Sequence, residues 1–388
     1  MKILHVVTSM DPEAGGVSQA IRTIIKGLSA KGITNEVACI DPPSSEFLKK
    51  DAFKIFAFGP GKTPWQYAPA LLQWLRKNIG EYHTVIVHGL WQYPTYATFS
   101  AWKKIRPNQF FLMPHGMLDP YFQKAKGRKI KAIRNWLFWK LVEKKAVNNA
   151  SGILFTCETE KILARLPFTP YKPAVEAVVS LGVETPPAFH QGMSVAFKAK
   201  LPADISNYWL YIARIHPKKG VDLLIDAYCK LQANGAAVQP LVIAGPGLDT
   251  EYGKQIQEMA GGNPQIHFTG MLSGDEKWGA FYGAEVFVLP SHQENFGIAV
   301  VEALGCGVPV LISDQVNIFR EITAHHAGLV ENDTAAGTLK LLSGWTNMNE
   351  EKKEEMRQQA KVCFATEFSM ETASDKMIQS FHSQTSAR

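Results

Sequence analysis

Apolar runs bounded by turn residues alternate along this chain with stretches whose apolar positions recur every three or four residues. Residues 3–8, 36–40, 84–87, 110–113 and 152–156 read as strands. Helical patterns lie between them, from Gly15-Gly16 to about Ala30, over 65–78 and over 158–166. A strand and turn at 178–183 lead into ETPPAFH (184–190), which reads as a linker. The pattern then restarts: strands at 208–213, 240–244, 266–268, 286–289 and 308–312, with helices at 221–233, 251–259 and 298–304. Two such series in one chain predict two Rossmann-like α/β domains facing each other across a cleft.

Composition narrows the class. The 388 residues suffice for two domains, and an apolar share of 46% argues for buried cores and against disorder. There is no apolar run of the ~18 residues that suggests a membrane span. The N-terminus enters a strand at once, without the pattern of a secretory signal. Five scattered cysteines form no metal-like pair, and their odd number excludes a full disulfide framework, so a reducing cytoplasm is expected.

The candidate chemistry centres on residues 286–312, VFVLPSHQENFGIAVVEALGCGVPVLI. A strand opens into a polar loop, and Asn295, Phe296 and Gly297 lead into a short helix. Glu294 lies in the loop and Glu302 within the helix, where an ionised carboxylate needs a partner. Carboxyl-end loops bind ligands in α/β folds, and a helix N-terminus suits a phosphate. Glu302, one to two turns on, could accept both hydroxyls of a ribose. A second loop, ARIHPKKG (213–220), sets Arg214 at a strand end and Lys219 five residues later, with Lys218 beside it as a solvated neighbour. Two such cations can neutralise a diphosphate leaving group, Arg as a fork and Lys as a point charge. Gly15-Gly16 permits close backbone approach to a diphosphate or sugar, but is not the dinucleotide-binding G-x-G-x-x-G. His88 and Trp91 follow a strand and could line an acceptor pocket or simply pack. His115, between a strand and Gly116, is expected to point into the cleft.

These residues carry a resemblance. Glu294 and Glu302, with S-x-x-E-x-F-G before the helix and E-A-x-x-x-G-x-P-V after it, resemble the E-x7-E signature of retaining glycosyltransferases of family four, which have the GT-B fold. ARIHPKKG resembles that family's R-x4-K-G element, and the first glycine-rich loop is similar too. The resemblance implies domains at 1–185 and 186–367, with a closing helix at 368–383 returning to the first and 384–388 as a frayed end. It implies that His115, Arg214, Lys219 and Glu294 are catalytic. Gly15, Gly16, Met271, Leu272, Asn295, Phe296, Gly297 and Glu302 would bind a nucleoside-diphosphate sugar, with Met271 and Leu272 near the base through backbone groups. Gly245-Pro246-Gly247 would be a structural turn. The implied mechanism retains anomeric configuration: the diphosphate leaves with cation stabilisation, a hydroxyl attacks from the same face, and Glu294 holds donor-sugar hydroxyls. No D-x-D motif is present, so no metal or other cofactor is expected.

Residues 122–147, FQKAKGRKIKAIRNWLFWKLVEKKAV, hold nine Lys or Arg against Glu143 alone, interleaved with tryptophans and leucines. This suits an anionic membrane surface and a lipid-linked saccharide acceptor in cell-surface polysaccharide assembly, or an aromatic stripe packed on its own domain. No recognition motif supports nucleic acid. The alternatives are a GT-B sugar phosphorylase or nucleotide-sugar epimerase, a non-catalytic membrane-surface module, and an NAD-dependent dehydrogenase whose best feature is Asp41.

Overall fold

The structure, a computed structural model, describes residues 1–124, 129–203 and 205–382. It divides into two compact bodies: Met1–Gly182 together with the C-terminal residues from Met370, and Val183–Ser369.

The first body holds strands β1 (Lys2–Val6), β2 (Thr34–Cys39), β3 (Lys54–Ala57), β4 (Thr84–His88), β5 (Gln109–Met113), β6 (Gly152–Phe155) and β7 (Glu176–Val178). They form one parallel sheet in the order β3-β2-β1-β4-β5-β6-β7. The inner strands β1, β4, β5 and β6 are buried along nearly their whole length because helices cover both faces. Leu4, Val6, Val85, Val87, Phe110 and Leu112 pack with Leu71, Trp102 and Trp139 on one side. Val37 and Cys39 pack against Ile21 and Ile25 of helix Gly16–Ala30 on the other. The closing helix, Met370–His382, belongs to this body: Phe381 packs on Phe111 at 5.3 Å, and Gln109 donates to the Phe381 carbonyl. Residues 383–388, expected to finish this helix and fray, lie outside the described residues.

The second body holds β8 (Tyr208–Ile212), β9 (Leu241–Ala244), β10 (Ile266–Gly270), β11 (Ala284–Leu289), β12 (Val310–Ser313) and β13 (Gly328–Glu331), ordered β10-β9-β8-β11-β12-β13 and again parallel. In each sheet the chain reverses its direction of growth beside the first strand, between β1 and β4 and between β8 and β11. These are the topological switch points, where loops leaving the carboxyl ends diverge and expose a crevice.

Local chemistry moves several boundaries. The helix expected over 65–78 begins at Pro69, because Lys62 and Tyr67 exchange backbone hydrogen bonds and Gln66 takes a left-handed φ of 61°. The strand expected from 308 begins at Val310: the Val308 N–H turns back to the Ala303 carbonyl, and Pro309 has no N–H to give a ladder. The strand expected at 178–183 ends at Val178, before a turn through left-handed Ser180. The edge strands β3 and β13 have no fully buried position, and so lack the apolar run that marks the inner strands.

Candidate active site

In the second body, two loops at the β8/β11 switch point are joined into one platform. Gly220 has φ +66°, and a Cβ there would lie 2.0 Å from the Pro290 carbonyl oxygen, so only glycine lets the loops meet. The Lys218 carbonyl accepts from the Ser291 hydroxyl and the His292 N–H, both at 2.8 Å. The Lys218 ammonium is not simply solvated, since it donates to Gln293 at 2.7 Å. Lys219 is ion-paired and hydrogen-bonded to Glu294. Glu294 is itself fixed at both ends of its peptide, donating to the Gln315 carbonyl and accepting from the Asn317 N–H, each at 2.9 Å. Arg214 is exposed, and its guanidinium has no hydrogen bond or ion pair among the described residues. The loop is cationic enough that Arg214, Lys218 and Lys219 add to partial burial in lowering the His216 pKa.

Helix Ile298–Gly305 starts beside this pair. Gly297, its N-cap at φ 78°, supplies no side-chain cap, so first-turn N–H groups are left for an anion or water. One face of the helix is buried through Val300, Val301, Ala303 and Leu304. Ile298 and Glu302 lie on the open stripe, where Glu302 pairs with Lys277 at 2.8 Å. Lys277 sits on helix Gly274–Gly283 with no motif to mark it in the sequence.

The remaining second-body candidates divide between backbone and side-chain exposure. The Phe296 ring is buried edge-to-face on Phe368, 5.7 Å between centroids, so only its backbone is offered to a ligand. Asn295 lies within 3.5 Å of Asn317. Met271 is exposed after β10, whereas Leu272 is buried. Gly245-Pro246-Gly247 is a structural turn, as the resemblance implied: a Cβ on Gly245 would meet the Ala213 oxygen at 1.9 Å, and the Ile215 N–H donates to the Pro246 carbonyl.

In the first body, a cavity of about 230 Å³ opens at the β1/β4 switch point, lined in part by Thr8, Ser9, Gly15, Ser18, His88 and Gln92. Gly15 caps helix Gly16–Ala30 without a side chain, and a Cβ at Gly15 or Gly16 would meet nothing within 4 Å. Thr8 donates to Gln92 at 2.6 Å. Asp41, the best dehydrogenase feature in the sequence, is consumed structurally: its two oxygens accept from the Ser9 hydroxyl at 2.6 Å and the Met10 N–H at 2.7 Å. It fastens the β1 loop, so its oxygens already have partners where a dinucleotide ribose would need them.

His88 lines the cavity, yet both its ring nitrogens are engaged, with His5 at 3.0 Å and His115 at 2.9 Å. It therefore offers a surface but no free hydrogen-bonding atom. Trp91 corrects the acceptor-pocket expectation: its ring is buried against Phe168, 5.1 Å between centroids, and Gln92 reaches the cavity instead. Two non-glycine residues here are left-handed, Trp91 at φ 70° and His115 at φ 52°. Such conformations persist only where neighbours hold them. Glu143 accepts from the Trp91 N–H at 2.8 Å, and Glu160 accepts from the N–H of Gly116, next to His115, at 2.5 Å. Glu160 is tied in turn to the Thr156 N–H and hydroxyl.

Glu143 is thus not the solvated counter-charge of the basic stretch. It is fully buried, and burial raises its pKa to about 8, against the Trp91 hydrogen bond that lowers it. The stretch comprises Tyr121–Lys124, Lys129–Phe138, a π-helical turn at Trp139–Glu143 and Lys144–Asn149, while 125–128 lie outside the described residues. Its aromatic stripe is divided. Trp139 is buried on Phe168, but Ile130, Ile133, Trp136, Leu137 and Leu141 are exposed, with the Lys140 ammonium 3.8 Å above the Trp136 ring. Among the described residues no helix is long and apolar enough to cross a membrane, and no three His, Cys, Asp or Glu side chains are grouped as for a metal.

Comparison with known proteins gives these two bodies a family. Residues 14–175 match the profile described as Glycosyltransferase Family 4, and residues 195–362 match Glycosyl transferases group 1, so the two profiles together span most of the chain. The chain is 32% identical over 197 residues to phosphatidyl-myo-inositol mannosyltransferase of Mycolicibacterium smegmatis, covering 48% of each chain. It is 28% identical over 178 residues to O-antigen chain mannosyltransferase B of Escherichia coli, covering 45% of each. It therefore spans less than half the length of these curated relatives. The crystal structure of Anabaena HepE in complex with UDP superposes with a TM-score of 0.75 at 16% identity, over 99% of this chain and 100% of that one. The chain belongs to the family-four, group 1 glycosyltransferases, built on the GT-B fold.

Proposed function

We propose that this chain moves a sugar from a nucleoside-diphosphate sugar to a hydroxyl of a saccharide or lipid-linked saccharide, with retention of configuration and without a metal. The observation that carries this reading is the platform joining Lys219 to Glu294, beside exposed Arg214 and the uncapped helix start at Gly297. As the bond from anomeric carbon to phosphate oxygen breaks, the electron pair leaves with the diphosphate. Arg214, Lys219 and the helix N–H groups stabilise that charge. The acceptor oxygen bonds to the anomeric carbon from the same face, and its proton passes to the leaving phosphate. Glu294 holds donor-sugar hydroxyls, Glu302 the ribose, and Met271 and Leu272 the base through their backbone. The first body's cavity sets the Thr8, Ser9 and Ser18 hydroxyls and the Gln92 amide among apolar Val7, Val17 and Met117, and those polar groups suit sugar hydroxyls. The UDP-bound HepE structure supports a nucleoside-diphosphate donor by likeness of fold.

Thermal shift with UDP-, GDP- and ADP-sugars and their free diphosphates, in EDTA, tests the donor. One base series is expected to stabilise the protein, and Arg214→Ala is expected to lose most of that shift. No stabilisation without added divalent metal would overturn the metal-free reading, and none in any condition would overturn the donor reading.

The exposed apolar residues of 130–141 among lysines and arginines favour a peripheral site on an anionic membrane, at the cytoplasmic face, for cell-surface polysaccharide assembly. The names of the two curated relatives, one a phosphatidyl-myo-inositol and one an O-antigen chain mannosyltransferase, support that context. At about 1 kcal/mol per charge, replacing Lys131, Arg134 and Lys140 with Gln is expected to weaken co-sedimentation with phosphatidylserine vesicles more than tenfold. Binding that does not change would end this reading.

A further inference from the structure

The first body contains a chain of three imidazoles that the reaction scheme does not use. His5 and His88 stack with ring centroids 5.2 Å apart, as do His88 and His115. Their nitrogens run in series, from Asn35 Oδ1 to His5 Nε2 at 3.1 Å, His5 Nδ1 to His88 Nε2 at 3.0 Å, and His88 Nδ1 to His115 Nε2 at 2.9 Å. The far end of the chain has one definite polarity. The Asn35 amide nitrogen donates to the Ile33 carbonyl at 2.9 Å and to the Ser29 hydroxyl at 3.1 Å. A carbonyl only accepts, so the side-chain oxygen of Asn35 is the atom facing His5. That oxygen cannot donate, and His5 Nε2 must therefore carry a proton.

The other proton positions follow link by link. In a neutral ring, a proton on His5 Nε2 leaves Nδ1 bare, so His88 Nε2 must donate to it. His88 Nδ1 is then bare, and His115 Nε2 must donate in turn. Reversing the whole chain would set the bare Nε2 of His5 against the Asn35 oxygen, two lone pairs at 3.1 Å. Burial favours neutral rings: it lowers His5 and His115 to about 4 and His88 well below its ordinary value. The chain cannot act as a proton wire, since Asn35 has no site for the proton. It acts as a lock.

We infer that Asn35, His5 and His88 are positioning residues that set His115 with Nε2 protonated and Nδ1 bare, so that His115 accepts a hydrogen bond from a sugar hydroxyl. Nδ1 of His115 makes no hydrogen bond among the described residues, and the residue is half-buried rather than sealed. Its left-handed backbone, pinned through Gly116 by Glu160, fixes where that nitrogen sits. A hydroxyl can meet a bare nitrogen; a carboxylate or carbonyl oxygen cannot. The lock therefore selects for a hydroxyl at this point of the sugar. The sugar hydroxyl rests on the glycosyl-transfer reading, whereas the proton positions do not.

The test is ¹H–¹⁵N long-range correlation on the full chain labelled with ¹⁵N-histidine, with signals assigned through His5→Phe, His88→Phe and His115→Phe. At pH 7, without ligand, all three residues are expected as the Nε2–H form. A protonated Nδ1 on His115, or His115 as imidazolium at that pH, would overturn the lock. In Asn35→Leu, His115 is expected to lose its single form and kcat/KM to fall about tenfold, with the circular dichroism of the wild type kept. Persistence of the pure Nε2–H form in that variant would overturn the role of Asn35. If the proton positions hold but no sugar donor perturbs the His115 signals, the lock stands and its assignment to a sugar hydroxyl is lost.

Discussion

Lys219→Ala is expected to lower kcat/KM by about 10² to 10³, the scale seen when one preorganised electrostatic contact to a developing charge is removed. The reason is twofold. In the proposed donor complex the ammonium is one of the cations facing the diphosphate, and in the structure it is the partner of the Glu294 carboxylate. Removing it leaves a half-buried carboxylate beside the proposed anion site, so on that reading the surviving charge repels the donor as well. The two side chains should therefore behave as one unit. In a double-mutant cycle, Lys219→Ala with Glu294→Ala is expected to lose little more than the worse single variant. Losses that simply add would show that the pair in the structure is incidental to catalysis. Free nucleoside diphosphate separates the roles further: its affinity should fall with Lys219→Ala and change little with Glu294→Ala.

Glu143→Gln is expected to raise stability at alkaline pH while leaving it nearly unchanged at pH 4.5. Burial takes this carboxyl from an ordinary 4.5 to about 8 in the folded protein. Below about 4.5 both folded and unfolded chains are protonated here, and the full stability is present. Between about 4.5 and 8 the unfolded chain ionises while the folded one keeps its proton, so unfolding releases a proton and stability falls as pH rises. The loss is complete above the folded value and amounts to several kcal/mol, since a tenfold change in proton affinity is worth about 1.4 kcal/mol. Glutamine keeps an acceptor for the Trp91 N–H and does not ionise. At about 2–4 °C per kcal/mol for a body of this size, the Tm advantage of Glu143→Gln at pH 8.5 should exceed about 5 °C. Equal Tm differences at pH 4.5 and 8.5 would mean that Glu143 is not protonated in the folded state.

Much of the molecule is legible in its residue order because the relevant signals are local. The apolar runs at 84–87, 110–113 and 286–289 are strands buried on both faces, a property each run carries by itself. The loop chemistry of 213–220 and 290–297 is local too, since glycines, charges and helix start lie within a few residues of one another. The edge strands β3 and β13 escaped because an edge needs only partial burial.

The sequence by itself determined the two α/β bodies, the family, and the candidate residues that one loop can bring together. Tertiary structure alone decided which of those residues have partners. Lys219 reaches Glu294 across 75 positions, Lys277 reaches Glu302 across 25, and His5 reaches His88 across 83. It also turned Trp91 into the core and sank Glu143, the one acid in a basic helix, beneath the surface. The physical reason is that periodicity and turn chemistry act over a few residues, whereas burial, hydrogen-bond satisfaction and proton position depend on what the fold carries in from elsewhere in the chain.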